Sequence, residues 1–237
     1  MKRIFILLFI LYPFVNGYCQ TIKDEYNACA IEKINFHDYK GAIEDFTKII
    51  EINPKDSSAY FDRGLIKFDL KDYLGAAEDF SKAVNIDSTN VDNFFLRGLA
   101  KDKLKEYKGA IADFDKTIKM EDGNADAYYF RGFAKTALKD FNGAIYDYNI
   151  AIKLNSDHIA EAYGNRGWAK VELHDFNGAI ADYDKAISLD PTNPEYYLQR
   201  GELKIQLGQK NSGCLDISKY KELGGKYQRK SKKMPCN

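Results

Sequence analysis

The side chains best equipped for chemistry in this chain recur at intervals instead of converging on one place. Arg63, Arg97, Arg131, Arg166 and Arg200 are each followed sixteen residues later by an aspartate, at Asp79, Asp113, Asp147, Asp182 and Asp216. A guanidinium and a carboxylate form parallel, charge-assisted hydrogen bonds, so each couple suits an internal clamp. A ladder of arginines could instead serve an anionic ligand, but each would first have to leave its aspartate. Structural ion pairs are therefore the expectation. One earlier aspartate, Asp45, has Cys29 where the others have arginine, and it should turn to Arg63 or to water.

No reaction centre can be assembled from the remaining residues. The chain has no Gly-rich phosphate loop, no Gly-x-Ser-x-Gly elbow, no Cys-x-x-Cys and no His-Glu-x-x-His. Nucleotide, acyl-transfer, redox and zinc chemistry thus lack their minimal parts. The three histidines, His37, His158 and His174, lie far apart and read as solvated turn residues. The acidic clusters follow the same period as the arginines, as solvated faces do. A non-catalytic protein with no cofactor or metal is expected.

That period defines the elements that must position these groups. Arg-Gly pairs begin at residues 63, 97, 131, 166 and 200, in steps of 34, 34, 35 and 34. Gly-Ala pairs alternate with them from residues 41, 75, 109, 143 and 178, and Gly213-Cys214 is read as continuing that series. Six repeats follow, at 23–56, 57–90, 91–124, 125–159, 160–193 and 194–225, with an extra residue near Asn211 in the last. Within the second repeat, Tyr60, Gly64 and Lys67 form one helical stripe and Ala76, Phe80 and Ala83 another, separated by Lys71-Asp72. Each repeat is then a helical hairpin, and such a hairpin must stack on its neighbours to bury its apolar faces.

These residues resemble the tetratricopeptide repeat (TPR). Tyr60, Gly64, Tyr73, Ala76, Phe80 and Ala83 match its signature, and Pro54 and Pro191 supply its closing proline in other repeats. Ser88, Asp122 and Ser156 replace that proline, and Ala30 replaces the first glycine. The resemblance implies an all-α, right-handed superhelical solenoid of about six helix-turn-helix repeats, with the first helices lining its concave side. It also implies a protein-protein interaction scaffold that binds a partner peptide or helix in that groove.

Two columns of first-helix residues would line the groove: Asn27, Phe61, Phe95, Tyr129, Gly164 and Leu198, and beside them Ile31, Leu65, Leu99, Phe133, Trp168 and Glu202. The candidate anchors are Phe61, Leu65, Phe95, Leu99, Tyr129, Phe133 and Trp168. Around them, Asp62, Asp69, Asp92, Asp102, Asp126, Glu161 and Glu172 form an acidic border that favours a basic or amphipathic partner segment. The family includes a clamp for the terminal carboxylate of chaperone tails, built from Lys and Asn in these columns. Phe61, Leu65, Phe95 and Leu99 occupy those places here, which disfavours that ligand. The alternatives are aromatics that merely pack between first helices, and a spacer or self-associating element with no groove ligand.

Charge and cysteines place the chain further. Lys plus Arg equals Asp plus Glu at 35 each, but residues 20–216 carry a net −8 and the segment from Ile217 onward a net +6. The acidic body should repel nucleic acid. Lys2 and Arg3 precede an apolar run from Ile4 to Val15 that is too short to span a bilayer, the layout of a secretory signal over residues 1–19. Export to the periplasm, envelope or exterior is expected, with no transmembrane span in the mature chain. Lipid anchoring at Cys19 is a minor alternative, because Tyr18 is bulky for that motif. Cleavage leaves Cys29, Cys214 and Cys236, of which Cys214 and Cys236 could form a disulfide stapling the basic tail, residues 226–237.

Overall fold

The computed structural model describes residues 22–226 and Cys236, and these form twelve α-helices with no strand among the described residues. They are α1 (22–35), α2 (Tyr39–Ile52), α3 (Ser57–Asp69), α4 (Tyr73–Ile86), α5 (Val91–Lys103), α6 (Tyr107–Met120), α7 (Ala125–Ala137), α8 (Phe141–Lys153), α9 (Ile159–Glu172), α10 (Phe176–Leu189), α11 (Pro194–Gln206) and α12 (Lys210–Glu222). The expected signal, residues 1–19, lies outside the described residues. Among the described residues, no helix is long and apolar enough to cross a membrane.

The turn inside each hairpin is three residues long, and in four of them one aspartate serves both helices. After α3, Lys71 takes a left-handed φ of 65°, its N–H reaches Phe68 O, and the Asp72 N–H reaches Lys67 O. Those two bonds satisfy the carbonyls that a helix end leaves open. The Asp72 carboxylate then accepts from the Gly75 N–H and caps α4. Asp38, Asp140 and Asp175 cap α2, α8 and α10 in the same way. A Cβ on Gly75 would sit 2.3 Å from the capping carboxylate, so the cap itself demands glycine there.

The chain forms two compact units, Met1–Glu106 and Tyr107–Asn237. In the N-terminal unit, α3 packs on α2 and α4, and α4 on α5. Ala30 of α1 joins Ala42, Phe46 and Ile49 of α2 and Ala59 and Ile66 of α3 in one core. In the C-terminal unit, each helix from α6 to α12 packs on the next, and α7 also meets α9. The seam of each hairpin is built from small residues facing rings. A Cβ on Gly64 would lie 2.9 Å from the Phe80 ring, and Ala76 and Phe80 are fully buried beneath it. The close approach of two helices that Gly64 and Ala76 allow is what lets one hairpin bury a whole ring.

The last hairpin differs from its expected register. A Cβ on Gly201 would meet Gly213 O, as one on Gly167 would meet Ala179 O. Gly213 therefore stands where the other repeats have the alanine, Cys214 falls one position later, and no extra residue is inserted near Asn211. The N-cap position gives the same register: it falls on Gln209, thirty-four residues after Asp175.

Candidate functional site

The arginine column is engaged on three sides. Arg63 donates from Nε to Asp79 Oδ2 at 2.9 Å and from Nη2 to Asp79 Oδ1 at 2.7 Å, across the α3/α4 seam. The same two-pronged contact joins Arg131 to Asp147, Arg166 to Asp182 and Arg200 to Asp216. Nη1 of each reaches backward to the second helix of the preceding hairpin: Thr47 for Arg63, Asp115 for Arg131, Asn149 for Arg166 and Asp184 for Arg200. Each guanidinium also lies over the aromatic ring three residues before it, at 5.0 to 5.8 Å from Tyr60, Tyr128, Tyr163 and Tyr197. Arg97, in the N-terminal unit, lies 5.5 Å over Phe94, and Asp113 is buried in the C-terminal unit.

A second basic column escaped the sequence reading. Lys67, Lys135, Lys170 and Lys204 sit one helical turn after the arginines and approach the same aspartates at 2.7 to 2.9 Å. Asp45 also differs from expectation: its partner is Lys33 of its own hairpin, at 2.7 Å. Arg63 is already held by Asp79 and Thr47, while Lys33 projects from the face of α1 that Cys29 shares. Asp79, Asp147, Asp182 and Asp216 are thus each shared by two cations, one arginine and one lysine. For Arg131, burial opposes the charge, but Asp147 and Asp115 outweigh it and hold the guanidinium above its ordinary pKa. An arginine bound this way has all three of its nitrogens engaged within the protein.

The histidines separate into two kinds. His37 and His174 occupy left-handed turn positions, with φ of 60° and 62°. His158 is not a solvated turn residue: its ring stacks on Tyr129 at 4.7 Å and meets Phe130 edge-on. This contact draws Tyr129 into the core, where it is 7% exposed, so the structure removes it from the exposed groove anchors. Asp102 departs as well, since it is buried and not part of an acidic border. Among the described residues, no group of three or more His, Cys, Asp or Glu side chains could hold a metal ion.

The remaining anchors lie on first helices. In the C-terminal unit, Phe133 and Trp168 are 40% and 37% exposed, and Trp168 meets Phe141 edge-to-face at 5.6 Å. In the N-terminal unit, Phe61, Leu65, Phe95 and Leu99 are half-buried. Phe61 and Leu65 pack against the Ala76–Phe80 core, and Phe61 lies edge-on to Phe80 at 5.9 Å. Beside them, α1 and α3 leave a trough of about 500 Å³. Its walls include Asn27 and Ile31 of α1 and Asp62, Leu65 and Asp69 of α3, with Phe46 of α2 below. Burial, and the nearby Asp56, push the Asp62 carboxyl above the usual carboxylate range. Lys23 is committed to Asp56 at 2.6 Å.

Cys214 and Cys236 are joined by a disulfide, with Cα atoms 5.4 Å apart, and Cys29 is a free, exposed thiol.

Comparison with known proteins agrees with this architecture. A family model described as "Tetratricopeptide repeat" matches residues 30–91, and one described as "TPR repeat" matches residues 167–208. No curated protein matches the sequence. Among solved structures, MamA superposes with a TM-score of 0.67 at 22% identity, over 78% of this chain and 94% of its own. YrrB, titled a TPR protein with an unusual peptide-binding site, gives 0.63 at 20% identity, over 77% and 93%. PilW, titled a widely conserved type IV pilus biogenesis factor, gives 0.70 at 17% identity, over 85% and 93%. Residues 30–91 and 167–208 thus carry tetratricopeptide repeats, and the helical-hairpin fold of the chain is one shared with solved TPR proteins.

Proposed function

We propose that this protein is a non-catalytic scaffold that binds a partner protein through the exposed faces of its first helices. The observation that carries the reading is the open, apolar trough between α1 and α3, walled by Ile31 and Leu65 and bordered by carboxylates. A volume of about 500 Å³ falls in the range of sites that hold specific ligands. Phe133 and Trp168 are the matching exposed positions of the C-terminal unit. Docking would cost the receptor little entropy, because the helices that carry these residues are already clamped by ion pairs to buried aspartates, Lys33–Asp45 in the first hairpin and arginine–aspartate pairs in the others. That YrrB is titled as peptide-binding lends support by analogy of fold.

The apolar run from Ile4 to Val15 and the Cys214–Cys236 disulfide support export to an oxidising compartment, the periplasm or the exterior. Site-specific photocrosslinking in cells tests both parts. A photoreactive residue at Leu65 or Trp168 should capture a partner, one at the exposed Lys116 of the second helix α6 should not, and the adducts should appear in the envelope or secreted fraction. Capture from Lys116 alone would move the interface to the second helices. Adducts confined to the cytoplasm would overturn export.

A further inference from the structure

The trough between α1 and α3 is lined on the α1 side by Asn27. Asn27 stands thirty-four residues before Phe61 and sixty-eight before Phe95, in the position where the next first helices carry a ring. Its short amide leaves unfilled the space that a phenyl group would take. The floor is apolar, from Phe46, and Ile31 of α1 and Leu65 of α3 line the two walls. The α3 wall also carries two carboxylates, Asp62 and Asp69, about two helical turns apart. Neither meets a cation among the described residues, since Lys23 is held by Asp56 and Lys67 by Asp79.

A carboxylate next to an apolar cavity with no counter-ion is an unfavourable arrangement that an incoming cation would relieve. Elsewhere in these hairpins the buried Asp45 has one cation, and Asp79 and Asp147 have two each. Resting on the groove reading above, we infer that this trough is a subsite for an apolar partner segment bearing a single arginine or lysine, its cation paired with Asp62. The aliphatic stem of such a side chain would cover Ile31 and Leu65 while its head reaches Asp62. A segment with an acidic residue at that place would be rejected by like charge.

Fluorescence anisotropy with two defined probes tests this. One is a short labelled peptide of leucine, alanine and serine with arginine at its centre, and its twin carries norleucine there. The full mature chain should bind the arginine peptide about tenfold more tightly, as a charge-assisted hydrogen bond implies. Asp62→Asn should abolish that advantage and leave the norleucine peptide unaffected. The control Asp157→Asn should change nothing. Asn27→Phe should fill the trough and remove binding of both, with the circular dichroism melt showing that the variant remains folded. Equal binding of the two peptides, still lost in Asn27→Phe, overturns the cation subsite and leaves the groove reading standing. Failure of both peptides to bind, or binding that ignores Asn27→Phe, overturns both at this end of the chain.

Discussion

Arg131 grips Asp147 with two parallel hydrogen bonds, of 2.9 and 2.6 Å, while its third nitrogen crosses to Asp115 on the preceding helix at 2.6 Å. One side chain thus closes its own hairpin and fastens it to the one before. The two carboxylates it touches differ sharply in environment: the Asp147 side chain is fully buried and that of Asp115 is 53% exposed.

Those environments separate the two contributions. Asp147→Ala leaves Arg131 and Lys135 buried without their carboxylate and should cost about 3–5 kcal/mol. Asp115→Ala removes a solvated partner and should cost less than about 1 kcal/mol. Urea midpoints of the two variants check this, and equal losses would mean that the inner clamp contributes no more than the outer one.

Tyr148 and Tyr183 occupy the same place in successive hairpins, but only one has a partner. The Tyr148 hydroxyl lies 3.1 Å from Thr136 Oγ1, whereas the buried Tyr183 hydroxyl makes no hydrogen bond among the described residues. Val171 stands where Thr136 would be. Tyr148→Phe should lose about 1 kcal/mol, and Tyr183→Phe should be neutral or stabilising. Burial, with Asp182 and Glu172 nearby, pushes the Tyr183 phenol well above its ordinary value near 10. A raised acid pKa means that the unfolded chain releases its proton first, so native stability falls as pH rises beyond 10. The Tyr183→Phe variant should lose less stability than the parent over that range in alkaline denaturation.

Asp102 presents the same sign at acid pH. Burial raises its carboxyl above the ordinary 3.8, with Lys103 opposing only in part. Its ionisation therefore costs the folded state, and the cost is complete above the folded pKa. Asp102→Asn should melt at a higher temperature than the parent at neutral pH. The difference should vanish below about pH 4, where both chains carry a neutral group. Thermal melts across that interval would refute the idea if the two curves ran parallel.

The disulfide closes a loop of 22 residues between α12 and the end of the chain. Loop-closure entropy puts its contribution at about 3 kcal/mol if the closed segment is otherwise free. Cys236→Ser should lower the unfolding midpoint accordingly and speed trypsin cleavage at the basic residues after Lys226, read by mass spectrometry. An unchanged midpoint would show that α12 holds its place without the staple.

The hairpins and their clamps were legible in the residues because both ends of each relationship lie on one local element. A thirty-four-residue period places Arg63 and Asp79 on facing turns of two adjacent helices, and a three-residue turn leaves them nowhere else to go. What required tertiary structure were the contacts between one hairpin and the next. The reach of Arg63 to Thr47, the stacking of His158 on Tyr129 and the resulting burial of that ring depend on how neighbouring hairpins are inclined, which no spacing encodes. The lysine column was visible as a period, but a flexible four-carbon stem can point to solvent or to the seam, and only the buried aspartate settles its direction. The trough beside Asn27 is of the same kind. A small residue in a column of rings was readable from the start, but whether its neighbours collapse into the space or leave it open is decided by packing alone.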